Sequence, residues 1–276
     1  MVEYSYGQVR TSDGETLVFK TAGDGPLNVI FMGGWGCTKD YYDETLALLS
    51  LNGIRIVVFD LRGQGDSSEV TSNYTSERQA QDVLNVADAA GMSTFVVIGQ
   101  SMGAKYVQHV PLLAPERVLG LVLIAGCPAG AINISDEELD EIAGYAGSRD
   151  AMRETHHAMI TRPIPHNTSE LWIKQAAEIS HNVLLKTLWH CFRDDFEKAV
   201  QSSPMPATLI VGAIHDKFFP VPMMQARVTA LIPGAREIYL DCGHEIPSEC
   251  PQELAFVIES FLAGLAIPRK GQLLSQ

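Results

Sequence analysis

Apolar residues in this chain gather into short unbroken runs. Residues 28–32, 54–60, 95–99, 118–125, 207–211 and 237–240 read as strands. Most are continuous rather than alternating, as expected for strands buried on both faces of a sheet. Amphipathic patterns over about 40–51, 76–90, 102–113, 221–231 and 251–262 predict helices between them. Alternating strands and helices imply parallel strands joined by crossover helices. Residues 5–10 and 16–21 flank Ser12-Asp13-Gly14, a hairpin signal, so the sheet is expected to begin antiparallel. The predicted fold class is α/β, with a mostly parallel central sheet of about eight strands.

The rhythm breaks once. From Pro128 to about Ala199 no strand pattern occurs. Ser135-Asp136-Glu137-Glu138 is a capping box, and Asn167 with Glu170 reads as a second helix start. Trp172, Ile173, Ala176 and Ile179 fall at helical spacing, as do Leu184, Leu185, Leu188 and Trp189, and Arg162-Pro163-Ile164-Pro165 separates helices. The expected organisation is a core over 1–127, a helical cap over 128–200 and the rest of the core over 201–276. The tail from Pro268-Arg269-Lys270-Gly271 onward leaves the last predicted helix and suggests no role.

Composition narrows the partners. The 276 residues are 46% hydrophobic, enough for one large core with an insertion. A net charge of −13 with no basic cluster argues against a nucleic-acid partner and otherwise reads as ordinary solubility. No uninterrupted apolar run reaches the length of a membrane span, and Met1-Val2-Glu3-Tyr4 does not open a secretory signal. The five cysteines (37, 127, 191, 242, 250) are scattered without a Cys-x-x-Cys pair. They suggest reduced thiols in a cytoplasm rather than a disulfide frame or a zinc site. The expected partner is a small-molecule substrate. Oligomeric state is not legible.

The candidate chemistry centres on Gly99-Gln100-Ser101-Met102-Gly103, placed between a predicted strand and a predicted helix. A serine at such a turn is lifted clear of the sheet, and only small neighbours fit beside it. A serine hydroxyl needs a base, and the base needs an orienting carboxylate. The strand at 209–211 runs into a loop carrying Asp216, and the strand at 237–240 into a loop carrying His244. All three residues thus follow the carboxyl ends of strands, which line one crevice of an open α/β sheet. Their order is Ser, Asp, His. The backbone N–H of Met102 and that of Trp35, in the small-residue loop Gly33-Gly34-Trp35-Gly36, are candidate oxyanion donors.

With these motifs the chain resembles the α/β-hydrolase superfamily over about residues 15–264. Phe59-Asp60-Leu61-Arg62-Gly63-Gln64-Gly65-Asp66-Ser67 is similar to that family's turn after the strand preceding the elbow strand. Residues 212–220 resemble its acid loop and Gly243-His244 its base loop. One departure is Gly33-Gly34 where the family often has His-Gly; the oxyanion hole is expected to survive it. The resemblance implies a serine hydrolase with Ser101, Asp216 and His244 as triad. It implies an acyl-serine intermediate but does not fix the substrate; the expected enzyme is cofactor-free and acts on a small carboxylic ester or lactone. Ser101 disfavours dehalogenases and epoxide hydrolases, which carry aspartate at the elbow. Gly126-Cys127 disfavours ring-cleaving dioxygenases that place the acid there. Carbon–carbon bond (diketone) hydrolysis and perhydrolysis remain open alternatives. So does a small-molecule sensor with slow turnover, whose loop would resemble Gly34-Trp35-Gly36-Cys37.

Blander readings stand beside several residues. Gly34, Cys127, Trp172 and Trp189 are candidate pocket residues, though Cys127 suits an inert buried thiol and the tryptophans suit cap packing. His215 adjoins Asp216, but the base is better placed at His244. His156, His157, His166, His181 and His190 read as surface or packing residues, and no spacing suggests a metal. Asp60 and Arg62 are expected to stabilise their turn, and Glu245 to take no direct part.

Overall fold

The computed structural model of the chain describes residues 2–68 and 73–265; the tail from Pro268 lies outside them. The strands are β1 (Ser5–Arg10), β2 (Thr16–Ala22), β3 (Leu27–Met32), β4 (Ile54–Phe59), β5 (Phe95–Gln100), β6 (Val118–Ile124), β7 (Ala207–Ala213) and β8 (Arg236–Leu240). They form one sheet in the order β1-β2-β4-β3-β5-β6-β7-β8. The β1–β2 and β2–β4 pairs are antiparallel, and every later pair is parallel. The hairpin turns at Gly14, whose φ of 92° is open to glycine at no steric cost.

Among the described residues, six helices flank the sheet before the insertion or after it. They are α1 (Asp43–Leu46), α2 (Ser76–Ala89) and α3 (Met102–Leu113), then, after β7, α9 (Val221–Arg227) and α11 (Pro251–Ala263), with the single-turn α10 (Ile246–Glu249) before the last. Two expected helices are shorter than their patterns. The 40–51 segment is α-helical only over α1; turns flank it on both sides, and Lys20 binds Asp40 (2.9 Å) and Asp43 (2.6 Å) at its start. The 221–231 segment leaves the α-helix at Val228 (φ −121°) and continues as one 3₁₀ turn. Apolar residues on the two faces of the sheet make two cores, one around Phe31, Val96 and Ile98 and one around Met32, Val97 and Tyr106. Among the described residues no helix is long and apolar enough to cross a membrane.

Between β6 and β7 the chain is helical: α4 (Asp136–Ala143), α5 (Arg149–Met159), α6 (His166–Ala177), α7 (His181–Arg193) and α8 (Glu197–Ser202). Ser135 and Glu138 form the reciprocal capping box at the start of α4 (2.9 and 3.1 Å). The Pro163/Pro165 break lies between α5 and α6. Helix α6 begins at His166 after Pro165, so Asn167 lies inside the first turn rather than capping it. The buried Lys105 of α3 ties insertion to sheet by donating to the carbonyls of Cys191 (2.7 Å), Asp194 (2.6 Å) and Gly130 (3.3 Å).

Candidate active site

Ser101 sits at the tip of β5 with φ 55° and ψ −119°, a conformation side chains other than glycine rarely adopt. The flanking glycines permit it. A Cβ on Gly99 would stand 2.5 Å from the Gly103 carbonyl oxygen, and one on Gly103 would stand 2.4 Å from that of Gly33. The elbow is pinned to β6: Ser101 N donates to Ile124 O (2.8 Å), and Cys127 N donates to Ser101 O (3.2 Å). The hydroxyl is thereby fixed above the carboxyl ends of the central strands.

The loops after β7 and β8 meet it there. His215 N donates to Cys242 O (3.0 Å), joining the two loops. His244 Nε2 lies 2.9 Å from Ser101 Oγ, and His244 Nδ1 lies 2.8 Å from Asp216 Oδ2. An ionised carboxylate only accepts, so the Nδ1 proton faces Asp216 and Nε2 is left to accept from serine. Asp216 Oδ1 accepts the backbone N–H groups of Phe218 (2.8 Å) and Phe219 (3.0 Å). The rings of the same two phenylalanines stand 5.4 and 5.7 Å from the imidazole. Burial alone would raise the Asp216 carboxyl, but the His244 charge and these hydrogen bonds hold it below its ordinary value. Burial likewise opposes a charged His244, yet Asp216, helped by Glu245 and Glu249, holds the imidazole above its ordinary value. Such an arrangement has the geometry that a serine nucleophile, a base and an orienting acid require.

Three sequence-predicted residues thus come together, and Gly34 joins them. A Cβ there would stand 3.0 Å from Ser101 Cβ and 2.6 Å from Gln100 Oε1, so this loop presses its backbone against the elbow. Met102 is the first residue of α3, where N–H groups lack intrahelical partners. Trp35, Ser101, Met102 and His244 all line a cavity of about 440 Å³.

The other candidate pocket residues lie elsewhere. Trp172 is buried in the insertion, 5.0 Å from the His156 ring and against Gly36. Trp189 is exposed, on a shallow outer depression with Leu139 and Leu185. Neither is among the cavity-lining residues: Trp172 is taken up by packing on Gly36 and His156, and Trp189 faces solvent. Cys127 stays behind the wall, its Sγ 3.6 Å from that of Cys191, which does line the cavity. His215 binds Asp241 (2.8 Å) at the surface and does not join the cluster. Asp60 accepts from Lys39 N, Lys39 Nζ and Asp66 N, and Arg62 grips Asp82 through two nitrogens (2.7 and 2.8 Å), so both hold turns.

The insertion supplies the roof. Ala151, Glu154, Thr155 and Ala158 line the cavity from α5, Leu188, Cys191 and Phe192 from α7, and Ile142 from α4. Their spacings of three and four residues were a visible signal of a helix face, but periodicity does not say which face looks at the site. The role of Gln100, whose Nε2 lies 3.4 Å from His244 Nε2, was not legible either.

Comparison with known proteins agrees with the architecture. The sequence profile of the alpha/beta hydrolase fold matches residues 28–159. The chain is 33% identical over 125 residues to a non-heme chloroperoxidase of Streptomyces lividans, covering 44% of this chain and 45% of that relative, less than half its length. It is 30% identical over 274 residues to the dihydrolipoyllysine-residue acetyltransferase component of the acetoin cleaving system of Cupriavidus necator, covering 91% of this chain and 68% of that one. An esterase from Exiguobacterium antarcticum superposes with a TM-score of 0.85 at 16% identity, covering 93% and 98% of the two chains.

Proposed function

The chain belongs to the α/β-hydrolase superfamily, and from that premise we propose that it is a serine hydrolase of small carboxylic esters or lactones. The observation that carries the reading is the unbroken contact from Ser101 Oγ through His244 to Asp216 at 2.9 and 2.8 Å, on the wall of a closed-over cavity. In this reading His244 Nε2 takes the hydroxyl proton as Ser101 Oγ bonds to the acyl carbon. Asp216 keeps the imidazole in the productive tautomer and offsets its charge. The N–H groups of Met102 and Trp35 receive the oxyanion. His244 then protonates the leaving alcohol, and water attacks the acyl-serine by the reverse path. Helices α4–α8 act as the cap. The scatter of the five cysteines, with no Cys-x-x-Cys pair, supports a reducing, cytoplasmic setting.

The chloroperoxidase relative favours a second reading on the same intermediate. Hydrogen peroxide in place of water would release a peracid, which oxidises halide away from the protein. A panel of simple esters, lactones and a vinylogous diketone, run with and without peroxide, tests both. Ester turnover lost in Ser101→Ala supports the first reading. Peracid outpacing acid at millimolar peroxide supports the second. Diketone cleavage without ester cleavage overturns both.

A further inference from the structure

Glu249 is buried on α10, five residues after His244, and reaches the reacting atoms of neither substrate nor base. All of its side-chain contacts are to donors. Oε1 accepts from Glu245 N (3.1 Å), and Oε2 accepts from Gly243 N (3.0 Å). The carboxylate therefore grips the backbone on both sides of His244. Oε2 also accepts from Thr161 N (2.7 Å), Thr161 Oγ1 (3.1 Å) and Arg162 N (2.7 Å), in the segment leaving α5. The return contact is direct: His244 N donates to Met159 O (2.8 Å), and Met159 lines the cavity. A Cβ on Gly243 would stand 2.5 Å from that same carbonyl oxygen, so the two segments are in close contact.

We propose that Glu249 is a positioning residue that locks the His244 loop to the end of α5, so that the roof of the cavity and the base hold one geometry. This rests on the serine-hydrolase reading above. A carboxylate accepting several N–H groups is a strong clamp, and its loss leaves buried backbone donors unpaired. Imidazole placement matters because small misalignments at reacting atoms are costly. The groups facing His244 are Ser101 and Gln100 from the elbow, Asp216 from the β7 loop, and Glu245 and Glu249 beyond its own backbone.

The test compares Glu249→Gln and Glu249→Asp with wild type by thermal melting, kcat and KM for an activated short-chain ester, the pH profile of kcat/KM, and fluorophosphonate labelling. Glu249→Gln keeps the size but turns one acceptor into a donor and removes a negative charge. It should lower kcat by roughly tenfold to a hundredfold, change KM far less, and move the acid-limb inflection down. Glu249→Asp keeps the charge but is too short to reach both segments, so kcat should fall while the inflection stays. A folded Glu249→Gln with wild-type kcat and inflection overturns the proposal. Should that variant not fold, an Asp variant with unchanged kcat overturns it. Failure of both to fold assigns Glu249 to stability alone and overturns it too. Wild type unlabelled at Ser101 overturns the hydrolase reading beneath it; labelled wild type with unaffected variants overturns only this proposal.

Discussion

Asp216 and His244 share one short contact, Oδ2 to Nδ1 at 2.8 Å, while the other Asp216 oxygen is held by two backbone N–H groups. The acid therefore cannot turn away from the base. It has no freedom to accept from elsewhere without leaving the Phe218 and Phe219 amides unpaired.

That contact sets the pH dependence. His244 must be neutral to accept the serine proton, and its imidazole is held above the ordinary value of about 6.5. Activity is present above the folded pKa and lost as pH falls through it. The acid-limb inflection of kcat/KM should therefore lie above about 6.5. Asp216→Asn removes the nearest negative charge and presents an amide that favours the wrong tautomer. The inflection should move down, and kcat should drop by about 10³ to 10⁴. A pH–rate profile of both proteins checks this; an unmoved inflection would detach Asp216 from the base.

The elbow separates chemistry from stability. Ser101→Ala and Ser101→Gly should both abolish fluorophosphonate labelling and nearly all ester hydrolysis. They lose the same contact with His244, but only glycine relieves the positive φ at this position. Ser101→Gly should thus be more stable than Ser101→Ala by about 1 kcal/mol. Paired urea melts measure the difference. Equal midpoints would mean that the turn stores no strain.

Much of this was legible in the chain. The strand pattern is nearly the observed sheet because residues such as Val96, Val97 and Ile98 have to be apolar on both faces. That Ser101, Asp216 and His244 converge was legible because each follows the carboxyl end of a strand whose direction was already implied. The tryptophans were not. Trp172 and Trp189 look alike in a helical pattern, yet one is packed under the insertion and the other faces solvent. Which face of an inserted helix meets the site depends on how five helices dock, and that is decided by contacts distant in sequence. Glu249 was silent for the same reason, since its partners at Thr161 and Arg162 lie some 90 residues upstream and are mostly backbone groups.

The loop at Gly34 gives a steric prediction. An alanine there would push against Ser101 Cβ at 3.0 Å and Gln100 Oε1 at 2.6 Å. The loop should then retreat from the elbow and, on the proposed mechanism, carry the Trp35 N–H away from the oxyanion. Gly34→Ala should lower kcat by on the order of 10², with a smaller change in KM. Steady-state kinetics on one activated ester suffice, and a wild-type kcat would remove Trp35 from the oxyanion hole.

The cavity makes the last prediction. About 440 Å³ is near the lower end for a small-molecule site, and the insertion closes over it with Ile142, Tyr145, Leu188 and Phe192. A short acyl group fits beneath this roof, whereas a long chain has to displace it. The barrier is these residues, not Trp172 or Trp189, which lie away from the cavity. For acetate, butyrate, octanoate and palmitate esters of one alcohol, kcat/KM should peak at acetate or butyrate and fall steeply at palmitate. Emulsified triglyceride should give no interfacial activation. Phe192→Ala removes a wall ring and should shift the preference toward octanoate by raising its kcat/KM relative to butyrate. One extra methylene accommodated in an apolar pocket is worth about 1–3 kcal/mol, so the shift should be at least tenfold. A wild-type maximum at octanoate or beyond would contradict the small-cavity reading. An unchanged preference in Phe192→Ala would move the limiting wall to α4 or α5.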